Sequence, residues 1–76
     1  MNALTLAEKL IEAEKTLKEM QDSRASQLEA ANDSRFSERA QEYAADSANT
    51  LKGQIETQKL LIKGIRATLK GTPIND

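Results

Sequence analysis

Residues 51–70 read LKGQIETQKLLIKGIRATLK, the most apolar and most basic part of the chain. Apolar residues recur here in alternating steps of four and three, the spacing that places side chains on one side of an α-helix. We call this row the seam. It contains Leu51, Ile55, Gln58, Ile62, Ile65 and Leu69, and the same spacing continues backward through Ala48, Ala44 and Gln41. The pattern predicts a helix whose packing surface is narrow at its N-terminal end and bulky at its C-terminal end.

A second row of small residues lies on another side of the same predicted helix. It contains Gly53, Thr57, Leu60, Gly64, Ala67 or Thr68, and Gly71. A glycine inside a helix costs roughly 1 kcal/mol relative to alanine, so its presence needs a reason. Close approach of another helix is one explanation, and tolerance on a solvent-exposed face is the other.

A basic row flanks the seam. It consists of Lys59, Lys63, Arg66 and Lys70, and no acidic residue occurs between Glu56 and Asp76. Such a row can contact nucleic acid or an anionic membrane surface. It is equally typical of a solvated flank whose cations complement the dipole at a helix C-terminus.

The composition limits the possible functions. The 76 residues include no cysteine, no histidine, no tryptophan, one phenylalanine and one tyrosine, with a net charge of −1. We therefore expect one small domain over residues 1–76, no metal site, no cofactor and no enzymatic activity, since a nucleophilic serine would lack its usual histidine base. No signal peptide and no membrane span is expected, so the cytoplasm is the expected location.

The N-terminal half predicts a shorter amphipathic helix. Thr5 and Glu8 have the spacing of a capping box, and an apolar stripe follows through Leu6, Leu10, Ala13, Leu17 and Met20. Asn, Asp and Ser at residues 32–34 favour a turn, with Asp33 or Ser34 capping the next helix. We expect helix 1 at about 5–31, a turn at about 32–34, helix 2 at about 35–70 and a loose tail at 71–76.

These elements predict an all-α fold, an antiparallel two-helix hairpin that resembles a coiled coil and forms oligomers. One continuous helix over residues 5–70 is the alternative. Folding the chain back near residue 33 places Leu17 near Leu51 or Ala48, Leu10 near Ile55, Leu6 near Leu60, and Glu14 on the same flank as Lys52. Helix 2 would then extend beyond helix 1, so that Ile62, Ile65 and Leu69 would have no partner in their own chain except Met1 and Leu4.

The exposed end of the seam leads to the functional hypothesis. We expect a non-enzymatic helical interaction module, such as an assembly factor, adaptor, co-chaperone or inhibitor, because unpaired apolar rows usually mark contact sites. Its partner would be a second copy in a homo-oligomer or another helical protein. The alternative is binding of an anionic polymer or surface through Lys59, Lys63, Arg66 and Lys70, with nucleic acid the less favoured partner. No motif identifies a family. The predicted partner-binding residues are Leu51, Ile55, Leu61, Ile62, Ile65 and Leu69.

Overall fold

The computed structural model describes residues 2–71, which fold into an antiparallel helical hairpin. Helix α1 spans Ala3–Ala31 and helix α2 spans Glu38–Lys70, and the described residues form no strand. The two helices pack against each other. The predicted all-α hairpin is confirmed, and the connection at residues 32–37 excludes one continuous helix. Met1 and residues 72–76, which include most of the predicted tail, lie outside the described residues.

Helix α1 begins two residues before its predicted start. Asn2 is the N-cap, and its side-chain oxygen accepts a hydrogen bond of 2.9 Å from the backbone N–H of Thr5. Thr5 therefore lies inside the first turn and does not cap the helix. The reason is local chemistry, because asparagine ranks at least as high as threonine at this position. The predicted end of α1 at Ala31 is confirmed.

Helix α2 begins three residues later than predicted because Asp33 has other partners. Its carboxylate accepts a hydrogen bond from the backbone N–H of Arg35 and is held by the guanidinium of the same residue, with a shortest distance of 2.6 Å. The Arg35 guanidinium, followed by the Arg35 backbone N–H, lowers the pKa of the Asp33 carboxyl below its usual value. Ser37 caps α2 instead, since its hydroxyl oxygen accepts from the backbone N–H of Ala40 at 3.2 Å.

The seam predicted from the sequence is the packing surface between the helices. Every described residue of the seam is buried or half-buried, and the four that are fully buried are Ala44, Ala48, Ile55 and Ile62. On α1 the apolar stripe faces it, with Leu6 and Ala13 buried. The seam also contains a polar contact: the side-chain amide of Gln58 donates to the backbone carbonyl of Ala13 at 2.9 Å. A small residue at position 13 leaves that carbonyl accessible.

The predicted register of the hairpin is wrong, although Glu14 lies on the predicted side of the seam. Glu14 forms an ion pair with Arg66 at 3.2 Å and does not lie beside Lys52. The Ala13 carbonyl contacts Gln58, about five residues beyond the position that folding about residue 33 places opposite it. The connection of residues 32–37 is three residues longer than predicted, which displaces α2 in the same direction. At the loop end, the side-chain amide of Gln41 donates to the backbone carbonyl of Asp33, so the first turn of α2 packs beside the connecting segment.

The predicted overhang of α2 at the open end is therefore also wrong. The extra length of α2 lies at the loop end, and Ile62 is only 5% exposed within its own chain. Ile65 and Leu69 are half-buried, and Ile65 lines a groove together with Leu6 of α1. The end of α2 at Lys70 is as predicted, with Gly71 following it.

The two glycines inside α2 do not serve close packing between α1 and α2. A Cβ atom added at Gly53 or Gly64 would meet no atom within 4 Å, and both residues are exposed. Neither has a positive φ angle. The hairpin alone therefore gives no structural reason for glycine at these positions.

We expect Gly53→Ala and Gly64→Ala each to raise the free energy of unfolding by roughly 1 kcal/mol, because alanine removes the helix-propensity penalty and causes no clash. Urea unfolding followed by circular dichroism, at low protein concentration, measures the change. A loss of stability in both variants would show that the glycines occupy a packed contact.

We expect the Asp33–Arg35 pair to make stability depend on pH in the acidic range. A lowered pKa in the folded state means that the contribution is present above the unfolded value of about 4 and is lost as the pH falls through the folded value. The difference in unfolding free energy between wild type and Asp33→Asn should therefore be constant above about pH 5 and shrink below about pH 4. A difference that does not change with pH would contradict this role.

Candidate functional site

The predicted partner-binding residues do not form an open surface. Ile55 and Ile62 are buried against α1, and Leu51, Ile65 and Leu69 are half-buried. Leu61 is the one member of the set that is mainly exposed, at 52%. The seam is covered by the protein's own first helix, because the register brings α1 over its full apolar length.

An uncharged face runs along the whole of α2 on one side of the seam. We define it as the row at steps of three and four that contains Ala40, Tyr43, Ser47, Thr50, Gln54, Thr57, Leu61, Gly64, Thr68 and Gly71. All but Ser47 are exposed. Charged residues make up 30% of the chain, so ten successive positions without one are unusual. Depletion of charge is a property of the centre of protein interfaces.

Large apolar side chains protrude from this face. Tyr43 is 74% exposed, and Leu60, which lies directly beside the row, is 68% exposed. Leu60, Leu61 and Gly64 line a shallow groove of about 490 Å³ whose other wall consists of Leu6 and Lys9. A second groove, of about 550 Å³, lies further along the same face between Met20 of α1 and Thr50, Gly53 and Thr57 of α2. The face therefore presents large apolar side chains beside two shallow grooves.

The threonines of this face are less polar than their sequence implies. The hydroxyls of Thr50, Thr57 and Thr68 each donate to the backbone carbonyl four residues earlier, at 3.0 to 3.2 Å. Their donor hydrogens are satisfied inside the helix. Covering these residues would therefore leave no hydroxyl donor without a partner, which lowers the cost of burying the face.

The predicted basic row lies on the other side of the seam, and all four of its residues are exposed. Lys59, Lys63 and Arg66 line one groove of about 550 Å³ with Glu14 and Lys18 of α1. Glu14 binds Arg66, and Lys59 lies 4.0 Å from Glu56. Lys63 and Lys70 form no ion pair with any described residue. The groove therefore holds four cations and one carboxylate.

Sequence reasoning missed the two aromatic residues at the loop end. Phe36 and Tyr43 are the only aromatic side chains of the chain, and both are exposed. Tyrosine is enriched in protein interfaces. Their exposure could have been predicted from the sequence, because neither residue lies on the seam. A small domain would normally place its few aromatic residues in the core.

The described residues hold no group of three or more acidic, histidine or cysteine side chains placed to bind a metal ion. Glu38, Glu42 and Asp46 are all exposed. No helix within residues 2–71 is long and apolar enough to cross a membrane.

Comparison with known proteins gives no relative from which a role could be transferred. No protein-family model, no curated protein and no solved structure matches the chain significantly. The surfaces of α2 are therefore the only indication of a role.

We expect neighbouring substitutions to separate the seam from the uncharged face. Ile62→Ala should lower the free energy of unfolding by about 2–5 kcal/mol, because Ile62 is buried in the seam. Leu60→Ala should change it by less than about 0.5 kcal/mol, because Leu60 is largely exposed. Urea unfolding at low protein concentration measures both, and similar losses in the two variants would show that the assignment of seam and surface is wrong.

Proposed function

We propose that this protein is a non-enzymatic helical interaction module that binds an amphipathic helix of another protein along the uncharged face of α2. Roles of this kind include those of an assembly factor, an adaptor, a co-chaperone or an inhibitor. One observation carries the proposal: Tyr43 and Leu61 are exposed on a long helical face that has no charged residue, and the exposed Leu60 lies directly beside it. Large exposed apolar patches on soluble proteins usually mark contact sites.

The shape of the face supports a helical partner. Gly53 and Gly64 leave open space above the helix backbone, and the two shallow grooves lie beside them. Large apolar side chains of a partner helix, spaced three and four residues apart, would fill this space and contact Leu60 and Leu61. The glycines would then make room for side chains of the partner helix, whereas the packing of α1 against α2 gives no reason for glycine at these positions.

The length of α2 also supports a helical partner. Helix α2 has 33 residues, and the uncharged face extends over all of it. An isolated two-helix hairpin forms a single layer, whereas stable domains contain at least two packed layers. A helix docked on this face would supply the start of a second layer.

A photo-crosslinking amino acid at Thr57 should give one discrete protein adduct in cells of the source organism, because Thr57 lies in the middle of the uncharged face. The same amino acid at Lys15, an exposed position of α1, should not give that adduct. In the Thr57 background, Leu60→Lys or Leu61→Lys should abolish the adduct, because a charge would have to be buried in the interface. Gel electrophoresis and mass spectrometry identify the product.

Ile11→Lys is the matched control, since Ile11 is 65% exposed but lies outside the uncharged face. It should leave the adduct unchanged. Circular dichroism should show equal helicity in all variants. The proposal would be abandoned if Leu60→Lys and Leu61→Lys formed the adduct as well as wild type, or if the adduct were a second copy of this chain.

A further inference from the structure

The side of α2 opposite the uncharged face carries an ordered distribution of charge. We call this row the charged flank, and it contains Glu38, Glu42, Ala45, Asn49, Lys52, Glu56, Lys59, Lys63, Arg66 and Lys70 at steps of four and three. Its first two members are acidic and its last four are basic. All except Ala45 are exposed. The flank is thus negative at the loop end of the hairpin and positive at the open end.

The hairpin itself neutralises only part of this charge. Arg66 is paired with Glu14, and Lys59 approaches Glu56. Glu38, Glu42, Lys63 and Lys70 form no ion pair with any residue in the described range 2–71. The positive end is complementary to an acidic partner, and the negative end to a basic one.

We propose that two copies of this chain associate through their charged flanks, with the two α2 helices antiparallel and a two-fold axis near Gln54. This arrangement places Glu38 opposite Lys70 of the second copy, Glu42 opposite Arg66, and Lys52 opposite Glu56. Each pair occurs twice because of the symmetry. The remaining cations of the flank, Lys59 and Lys63, lie opposite the uncharged Asn49 and Ala45, so no like charges meet.

The charge pattern also selects the register of the pairing. A shift of one heptad in one direction places Lys52 opposite Lys63 of the second copy, which is repulsive. A shift in the other direction leaves Lys70 without a partner and retains two opposite-charge pairs instead of three. A parallel arrangement would bring acidic end to acidic end. The pattern therefore favours one antiparallel register, as charged flanks do in coiled coils.

Helix α1 is compatible with the same axis. Ile11 shares a side of α1 with Glu14 and Lys18, which line the basic groove, and Leu28 lines a groove with Lys52 and Glu56. Both apolar residues therefore lie on the side of the hairpin that carries the charged flank. The two-fold axis brings the open end of one copy to the loop end of the other. The exposed Ile11 of each copy therefore faces the loop half of the other copy, which contains Leu28.

The available surface is sufficient for such a dimer. The hairpin exposes 5810 Å², whereas a compact protein of 8.4 kDa exposes about 4,600 Å². The hairpin is therefore more elongated than a compact protein of its mass, and a standard interface covers roughly 800 Å² per partner. Since the uncharged face remains free, this association does not depend on the function proposed above.

The test uses two variants that repel themselves but attract each other. Lys52→Glu gives a copy with two acidic residues beside the axis, and Glu56→Lys gives a copy with two basic residues there. Each variant alone should be monomeric in sedimentation equilibrium at low salt, about 50 mM NaCl, and an equimolar mixture should dimerise. Wild type should dimerise at low salt, with a dissociation constant at least about tenfold higher at 500 mM NaCl.

Lys15→Glu changes the net charge by the same amount as Lys52→Glu but lies outside the flank, so it should dimerise like wild type. Circular dichroism checks that all variants are folded. The proposal is overturned if wild type is monomeric at low salt, if the mixture remains monomeric, or if either variant alone dimerises like wild type. A monomeric wild type that binds a labelled DNA duplex or phosphatidylserine vesicles at low salt would show that the basic end takes an anionic polymer or surface instead.

Discussion

The burial of one row of side chains between two helices holds the described part of this protein together. The fully buried residues all belong to the contact between α1 and α2, and four of them belong to the seam of α2. The Cα radius of gyration is 17.1 Å, whereas about 11 Å is typical of a compact chain of this length. Since there is no second layer, each large seam residue carries an unusual share of the stability, of the order of 1.5–3 kcal/mol for full burial.

The seam could be predicted from sequence, but the register could not. The alternation of four and three residues identified which side of each helix is buried and which flank carries Glu14. A heptad repeat, however, looks the same after a shift of one or two heptads, so Lys52 and Arg66, which are two heptads apart, were equivalent neighbours for Glu14. The choice between them depends on the connection. The length of that connection is determined by competition between side chains for the N-cap of α2. Asp33 binds Arg35, so Ser37 caps α2 instead.

The candidate site was predictable only in part, for a related reason. The exposure of the basic row and the second row around Gly53 and Gly64 were both visible in the sequence. The expectation that Ile62 would have no partner in its own chain was wrong because it depended on the predicted register. Tyr43 was not predicted because the second row begins at Gly53 in the sequence pattern, whereas the uncharged face begins at Ala40.

The gradient of residue size along the seam determines the order in which this hairpin can form. The connection of residues 32–37 brings the loop ends of the helices together at little entropic cost. The seam residues nearest the loop are Ala44 and Ala48, which gain little from burial. Ile55, Ile62 and Leu6 gain most and lie further from the loop. Closure must therefore proceed well along the helices before it becomes favourable, which makes folding cooperative and leaves a fragment around the loop without a stable structure of its own.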